Sequence, residues 1–190
     1  MKNHKVLVEK ILSDNTEEFK TIVQKYQRLV CHIVFRMIHK QEEREDICQE
    51  VFIQVYQNLG NFKFESKLST WIARIAYNRC INYLEKKKIP LFDDLSPAKE
   101  SIETQSGDSF APDTFTEHQD RSSRLQVEID KLPVQFRTIL TLYHLDEMKY
   151  HEIGEILELP EGTVKSYLFR ARKLLKQRLT AKYKPEELLQ

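Results

Sequence analysis

Apolar residues recur at three- and four-residue steps along most of the chain, and the breaks in that rhythm divide it into elements. Over 15–38, Phe19, Ile22, Val23, Tyr26, Val30, Ile33, Val34 and Met37 mark one face of a helix. Asp14 or Thr16 is placed to cap it, and Glu17 and Glu18 suit the positive end of its dipole. Residues 41–45 read as a charged break. A second helix over about 44–59 turns Ile47, Val51, Phe52, Val55 and Leu59 inward. After a loop at 60–67, a third helix over about 68–87 buries Leu68, Ile72, Ile75, Ala76, Cys80 and Tyr83. Lys86, Lys87, Lys88 and Pro90 stop it. The period is lost over 91–120, where Ser, Asp, Glu, Pro and Thr dominate, and it resumes at Arg121 with Leu125, Ile129 and Leu132. A helix over 134–145 follows, with Phe136, Ile139, Leu140, Leu142 and Tyr143 as its core face. Residues 149–173 then read as helix (149–157), tight turn (158–162) and a second, cation-rich helix, the pattern of a helix-turn-helix.

Only 4 Gly and 6 Pro in 190 residues favour an all-α fold. The expected architecture is two small helical domains, 1–90 and 121–184, joined by a flexible acidic linker at 91–120 and followed by a tail at 185–190, because the linker is too polar to offset its ordering entropy. Charge sharpens the division. The net +1 splits into +5 over 1–90, −7 over 91–120, +5 over 121–184 and −2 at the end, so two basic blocks able to face a polyanion flank an acidic connector. No apolar run approaches the roughly 20 residues that span a bilayer, and Glu9 arrives too early for a secretory signal, so a cytoplasmic protein is expected. Three cysteines, Cys31, Cys48 and Cys80, without Cys-x-x-Cys spacing argue against a disulfide framework or a zinc knuckle. Cys31 and His32 diverge by about 100° on a helix, so a metal site with His39 is disfavoured, and buried thiols are expected instead. Neither a Walker A run nor a nucleophile elbow is present, and no cofactor and no enzymatic activity are expected.

On a helical wheel Val164, Leu168, Ala171 and Leu175 fall within about 60° and face a core. Ser166, Phe169, Arg170 and Lys173 lie opposite, flanked by Lys165 and Arg172. Such a face suits a major groove, with Arg170 the best candidate for base readout and Ser166 for phosphate; a merely solvated cationic helix is the plainer reading. The loop and third helix offer Phe62, Lys63, Phe64 and Lys67, then Trp71, Asn78 and Asn82 on one flank. Rings, amides and cations together suit single-stranded nucleic acid, although Phe62 and Trp71 also make sense as caps on a core. On the second helix Asp46, Gln49, Glu50 and Gln57 surround Ile53, either a solvated face or a dock for a basic helical partner.

The run Ile153-Gly154-Glu155-Ile156-Leu157, Pro160-Glu161-Gly162-Thr163-Val164-Lys165-Ser166 and Arg170-Ala171-Arg172 resembles the region 4 reader of extracytoplasmic-function (ECF) RNA polymerase sigma factors. Asp46-Ile47-Cys48-Gln49-Glu50-Val51-Phe52 is similar to their region 2 polymerase-docking helix. Phe62 through Trp71, with Ile75-Ala76-Tyr77-Asn78 and Asn82-Tyr83-Leu84, is similar to their promoter-melting segment. The resemblance implies a sigma factor that binds core RNA polymerase, directs it to promoters and promotes strand opening. By residue, it implies that Asp46, Gln49, Glu50 and Ile53 meet the β′ clamp helices. It implies that Phe62, Phe64, Ser66, Lys67, Trp71, Asn78 and Asn82 serve the −10 element, and that Thr163, Lys165, Ser166, Phe169, Arg170 and Lys173 read the −35 element. Further partners implied are the β flap and an anti-sigma factor, which in this family is often membrane-bound. Tyr167 stands where the family often has Arg, and Phe64 where it often has Gly. A free-standing helix-turn-helix regulator binding an operator accounts for 121–184 but leaves the acidic helix and the aromatic loop without a task.

Overall fold

The computed structural model describes residues 17–89 and 117–183, together with Val8 and Ile11; for 117–123 it describes the backbone alone. All regular elements there are helical: α1 (Glu17–Met37), α2 (Gln41–Asn58), α3 (Leu68–Lys86), α4 (Glu117–Asp130), α5 (Val134–His144), α6 (Tyr150–Leu157) and α7 (Glu161–Lys182), plus a 3₁₀ turn at Leu59–Asn61. The expected cap at Asp14 or Thr16, the linker as far as 116 and the tail lie outside the described residues. Helical backbone begins at Glu117, one turn ahead of the expected Arg121. No described helix is long and apolar enough to cross a membrane.

The first bundle closes α1 onto α2 and α3. Ile22, Val30, Ile33, Val34 and Met37 from α1 meet Ile47, Val51 and Val55 from α2 and Leu68, Ile72, Ala76 and Cys80 from α3, all buried, and Val8 and Ile11 join them. Residues 41–45 are not a break. Lys40 is extended and α2 starts at Gln41, because Glu42 and Glu43 are good helix formers that suit a first turn. The C-terminal carbonyls of α1 are held by guanidinium groups: Arg44 Nε donates to the Ile38 carbonyl at 2.9 Å and Arg137 Nη2 to the Met37 carbonyl at 3.3 Å.

The second bundle packs α4, α5 and α6 on α7. Buried Glu128 of α4 accepts Lys131 at 3.0 Å and Lys182 of α7 at 2.9 Å, tying the ends of the bundle. Of the apolar residues that mark the return of the period, Leu125 is 42% exposed, Ile129 is half-buried and Leu132 is buried. By contrast α5 is buried on nearly all sides, Arg137, Thr138 and Thr141 included. The hydroxyls of Thr138 and Thr141 donate to carbonyls one turn back, at 2.7 and 2.9 Å, so neither is left unpaired.

The reason for that all-round burial is that α5 also packs on α1, while α6 packs on α3, joining the two bundles. The same contact widens the buried face of α3. Ala73, Tyr77 and Leu84 are buried, whereas Ile75 and Tyr83, expected inside, are half-buried. Burial, with smaller contributions from Cys80 and from Glu158 of the second bundle, pushes the Tyr77 hydroxyl up to about 12.

Candidate nucleic-acid interface

The turn between α6 and α7 is set by Gly154 and Glu158. Glu158 takes a left-handed backbone, φ 55°, and both its amide and that of Leu159 (3.0 Å) donate to the Gly154 carbonyl. Pro160 then opens α7, its carbonyl accepting the amides of Thr163 at 2.9 Å and Val164 at 3.1 Å. The second helix therefore starts at Glu161, ahead of the expected Thr163, and takes Gly162 into its first turn. Val164, Leu168 and Ala171 are buried and Leu175 half-buried, so the face assigned from the wheel is the inner one.

The outer face carries Lys165, Ser166, Phe169, Arg170 and Lys173, all exposed, with Phe169 at 67%. Thr163 is half-buried and its carbonyl accepts the Ser166 hydroxyl at 2.9 Å. Tyr167 turns sideways: its half-buried ring meets Phe136 edge-on at 6.0 Å, so at this position the chain packs a ring on its core. Two cations are braced by rings that sequence reasoning missed. Lys165 lies 5.3 Å from the centre of Tyr150, Tyr150 stacks on Tyr143 at 5.2 Å, and Arg172 lies 5.0 Å from Tyr143. Tyr143 falls on the apolar side of α5, which is why periodicity assigns it to the core, and nothing local points to its pairing with Tyr150.

In the first bundle the 3₁₀ turn drops Phe62 into the core, 6% exposed. Phe62 is thus a support and not an open ring, with Phe64 centred 4.6 Å and Trp71 5.2 Å from it. Phe64 has φ 60°, a conformation that favours glycine, and the ring contacts of about 0.5–1.5 kcal/mol offset a backbone cost of about 1–2 kcal/mol. Ser66 and Trp71 are half-buried, and Lys67, Asn78 and Asn82 are exposed. On α2, Asp46, Gln49 and Ile53 are exposed, Ile53 at 55%, whereas Glu50 is held by Arg79, whose Nε donates at 2.6 Å. Asp46, Glu50, Arg79, Asn82 and Tyr83 line one groove between α2 and α3. Among the described residues no cluster of three or more His, Cys, Asp and Glu could hold a metal ion.

Both halves of this surface match known families. The family model described as Sigma-70 region 2 matches residues 22–89, and that described as Sigma-70, region 4 matches 122–175. The chain is 35% identical to the ECF RNA polymerase sigma factor SigW of Bacillus subtilis (strain 168), over 90% of this chain and 94% of that protein. The chain belongs to the ECF RNA polymerase sigma factors. It directs RNA polymerase to specific promoters for transcription initiation and is not an enzyme in its own right. The RNA polymerase sigma-H factor of Pseudomonas aeruginosa is 32% identical over 91% of this chain and 92% of its own length. The ECF sigma-E factor of Escherichia coli (strain K12) is 34% identical over 90% and 91%. Two solved structures share the fold. CnrH, in complex with the cytosolic domain of CnrY, has a TM-score of 0.67 at 17% identity, covering 94% of this chain and 97% of that one. RpoE of Bartonella quintana, in complex with the anti-sigma factor NepR, has a TM-score of 0.66 at 20% identity, covering 88% and 99%. A free-standing regulator is thereby set aside, since the match at 22–89 gives the first bundle its own family.

In this sigma factor the two bundles grip each other through polar contacts. Lys67 Nζ lies 2.8 Å from Glu152 Oε1, while the other oxygen of that 5%-exposed carboxylate accepts the Lys149 amide at 2.9 Å. Burial raises the Glu152 pKa, but the bonds from Lys67 and the Lys149 amide outweigh it and leave it lowered. His32 Nδ1 lies 2.9 Å from Asp146 Oδ1, and Arg36 donates to Asp130 at 2.7 Å and to Gln126. Arg137 Nη1 reaches the Asp130 carbonyl at 2.7 Å and His39 Nε2 at 2.8 Å. The Lys149-x-x-Glu152 spacing ahead of an apolar run hints at a helix start. Nothing local points to Lys67 or His39.

His39 is exposed as a residue but its ring sits against Arg137 at 2.8 Å, so this contact is expected to respond to pH. Burial and then Arg137 lower its pKa, with Asp130 opposing and Arg44 adding to the fall. A depressed folded pKa means that its contribution is present above about pH 6.5 and is lost as pH falls towards the folded value. The thermal midpoint of the wild type should therefore fall between about pH 7.5 and pH 5.5 by more than that of His39→Gln, which accepts from Arg137 without titrating. Equal falls in the two proteins would remove His39 from this role.

Proposed function

We propose that this ECF sigma factor acts through two DNA grips, 1–90 and 121–184, joined by the acidic connector 91–120. Asp46, Gln49, Glu50 and Ile53 on α2 dock on the β′ clamp helices of core RNA polymerase, with Ile53 the apolar centre and Glu50 oriented by Arg79. The reader lies against the β flap. Thr163, Lys165, Ser166, Phe169, Arg170 and Lys173 read the −35 element, Thr163 acting through the backbone turn that also holds the Ser166 hydroxyl. Phe64, Trp71, Asn78 and Asn82, supported from within by Phe62 and flanked by Ser66 and Lys67, hold an unpaired base of the −10 element. The observation that carries the reading is that the side chains left outside both cores have the chemistry these tasks need: rings and amides on one bundle, a ring and cations on the other.

Melting on this reading needs no nucleotide hydrolysis, because base capture offsets an unstacking cost of a few kcal/mol. Lys67 is paired with Glu152, so a promoter phosphate would compete with that carboxylate for its ammonium group. The relatives CnrH and RpoE are held by CnrY and NepR, and an anti-sigma factor is proposed as a partner here, with the working location the cytoplasm, where polymerase is. Replacing exposed Asn78 by Ala tests the melting assignment. One lost base contact, about 0.5–1.5 kcal/mol, should cut transcription from duplex promoter roughly two- to tenfold while a pre-melted template is spared. Equal loss on both templates refutes it.

A further inference from the structure

Two of the three thiols are neither core fillers nor isolated. Cys31 on α1 and Cys48 on α2 are half-buried, with their sulfurs 4.0 Å apart, while Cys80 on α3 is fully buried. The expectation of three buried thiols holds for Cys80 alone. We propose that Cys31 and Cys48 form a redox-reactive pair, which a hydroperoxide converts into a disulfide joining α1 to α2.

The two sulfurs have different characters. The hydrogen bond with Cys48 lowers Cys31 to about 7 against the opposing effect of burial. That same bond, followed by burial, raises Cys48. Either sulfur can donate across the 4.0 Å contact, and the more acidic Cys31 is the one assigned as the attacking sulfur, with Cys48 resolving. The Cys31 thiolate attacks one peroxide oxygen and the O–O bond breaks. Sulfur gives up two electrons and becomes a sulfenic acid, and the departing oxygen takes a proton and leaves as water or an alcohol. The Cys48 sulfur then attacks the Cys31 sulfur. The S–O bond breaks, the S–S bond forms, and the thiol proton leaves with the hydroxyl as water. Two thiols and one hydroperoxide thus give a disulfide, one alcohol or water, and one water. From 4.0 Å the sulfurs must close by about 2 Å to reach bonding distance, which calls for rotation about the two Cα–Cβ bonds.

The link falls between two working faces. Cys48 lies on the side of α2 away from Asp46, Gln49 and Ile53, and Cys31 precedes His32, which reaches Asp146 of the second bundle. Oxidation therefore ties the helix that carries the docking row to the helix that holds the reader.

The test treats the full-length protein with a small excess of hydrogen peroxide at neutral pH, followed by catalase, alkylation in denaturant, intact mass measurement and non-reducing peptide mapping. The oxidised protein should take up one alkyl group where the reduced protein takes three, yield one cross-linked peptide joining Cys31 to Cys48, and recover all three thiols with dithiothreitol. In Cys31→Ser the cross-link should vanish and Cys48 should alkylate in full. Three alkylated thiols after peroxide, a cross-link through Cys80 or between two molecules, or a sulfinic acid on Cys31 beside a free Cys48 would each overturn the proposal.

Discussion

Gly154→Ala should lower the stability of the reader, although Ala is the better helix former by about 1 kcal/mol. A Cβ built on Gly154 lies 2.7 Å from the Leu159 carbonyl oxygen, a backbone atom with no rotamer by which to move away. That carbonyl is where it is because the amides of Glu158 and Leu159 both bond the Gly154 carbonyl, with Glu158 at φ 55°. Relieving the clash means loosening the turn itself. Overpacking of this kind costs about 1–3 kcal/mol, so after the helical gain a net loss of up to about 2 kcal/mol remains. At the full ~2 kcal/mol this would appear as a thermal midpoint lower by about 4–8 °C. Gly162→Ala is the control. A Cβ there meets nothing within 4 Å, and the residue sits in the first turn of α7, so the same substitution should be neutral or stabilising. Equal midpoints for Gly154→Ala and the wild type would show that the turn has more give than its hydrogen bonds indicate.

Arg170→Ala should leave the fold intact and weaken promoter binding about 5- to 150-fold, the equivalent of about 1–3 kcal/mol for one base contact. Arg170 is exposed and has no ion pair or hydrogen bond among the described residues, so its removal leaves nothing unsatisfied. Lys165 and Arg172 differ, since each is braced by a ring of the Tyr150–Tyr143 stack and its loss also disturbs that stack. The measurement is affinity of the polymerase-bound protein for duplexes substituted one base pair at a time in the −35 element, at two salt concentrations. Base readout predicts that discrimination collapses at one position; a phosphate contact predicts uniform weakening and a salt slope reduced by about 1. The second outcome would move readout to another residue on the same face.

Much of this molecule can be read without coordinates. Helix formation depends on neighbours three and four positions away, so periodicity gave the helices of both bundles, the inner face of α7 and the exposed row Asp46, Gln49 and Ile53. Where it erred, a nonlocal cause was at work. Ile75 and Tyr83, which the period places inside, are half-buried, whereas Ala73, Tyr77 and Leu84 are buried on a helix that also packs against α6.

The sequence by itself determined the helical period of both bundles, the helix-turn-helix at 149–173 and the inner and outer faces of its second helix. Only tertiary structure decided what the ambiguous residues do. Arg137 is buried because α5 is covered from both sides, and Glu152 is buried because Lys67 and the Lys149 amide satisfy it. Tyr167 packs on Phe136, Phe64 tolerates a left-handed backbone beside Phe62, and Cys31 meets Cys48. Local propensity acts within a turn or two of the chain, whereas each of these outcomes depends on a partner brought in by packing, and amino-acid type alone does not name that partner.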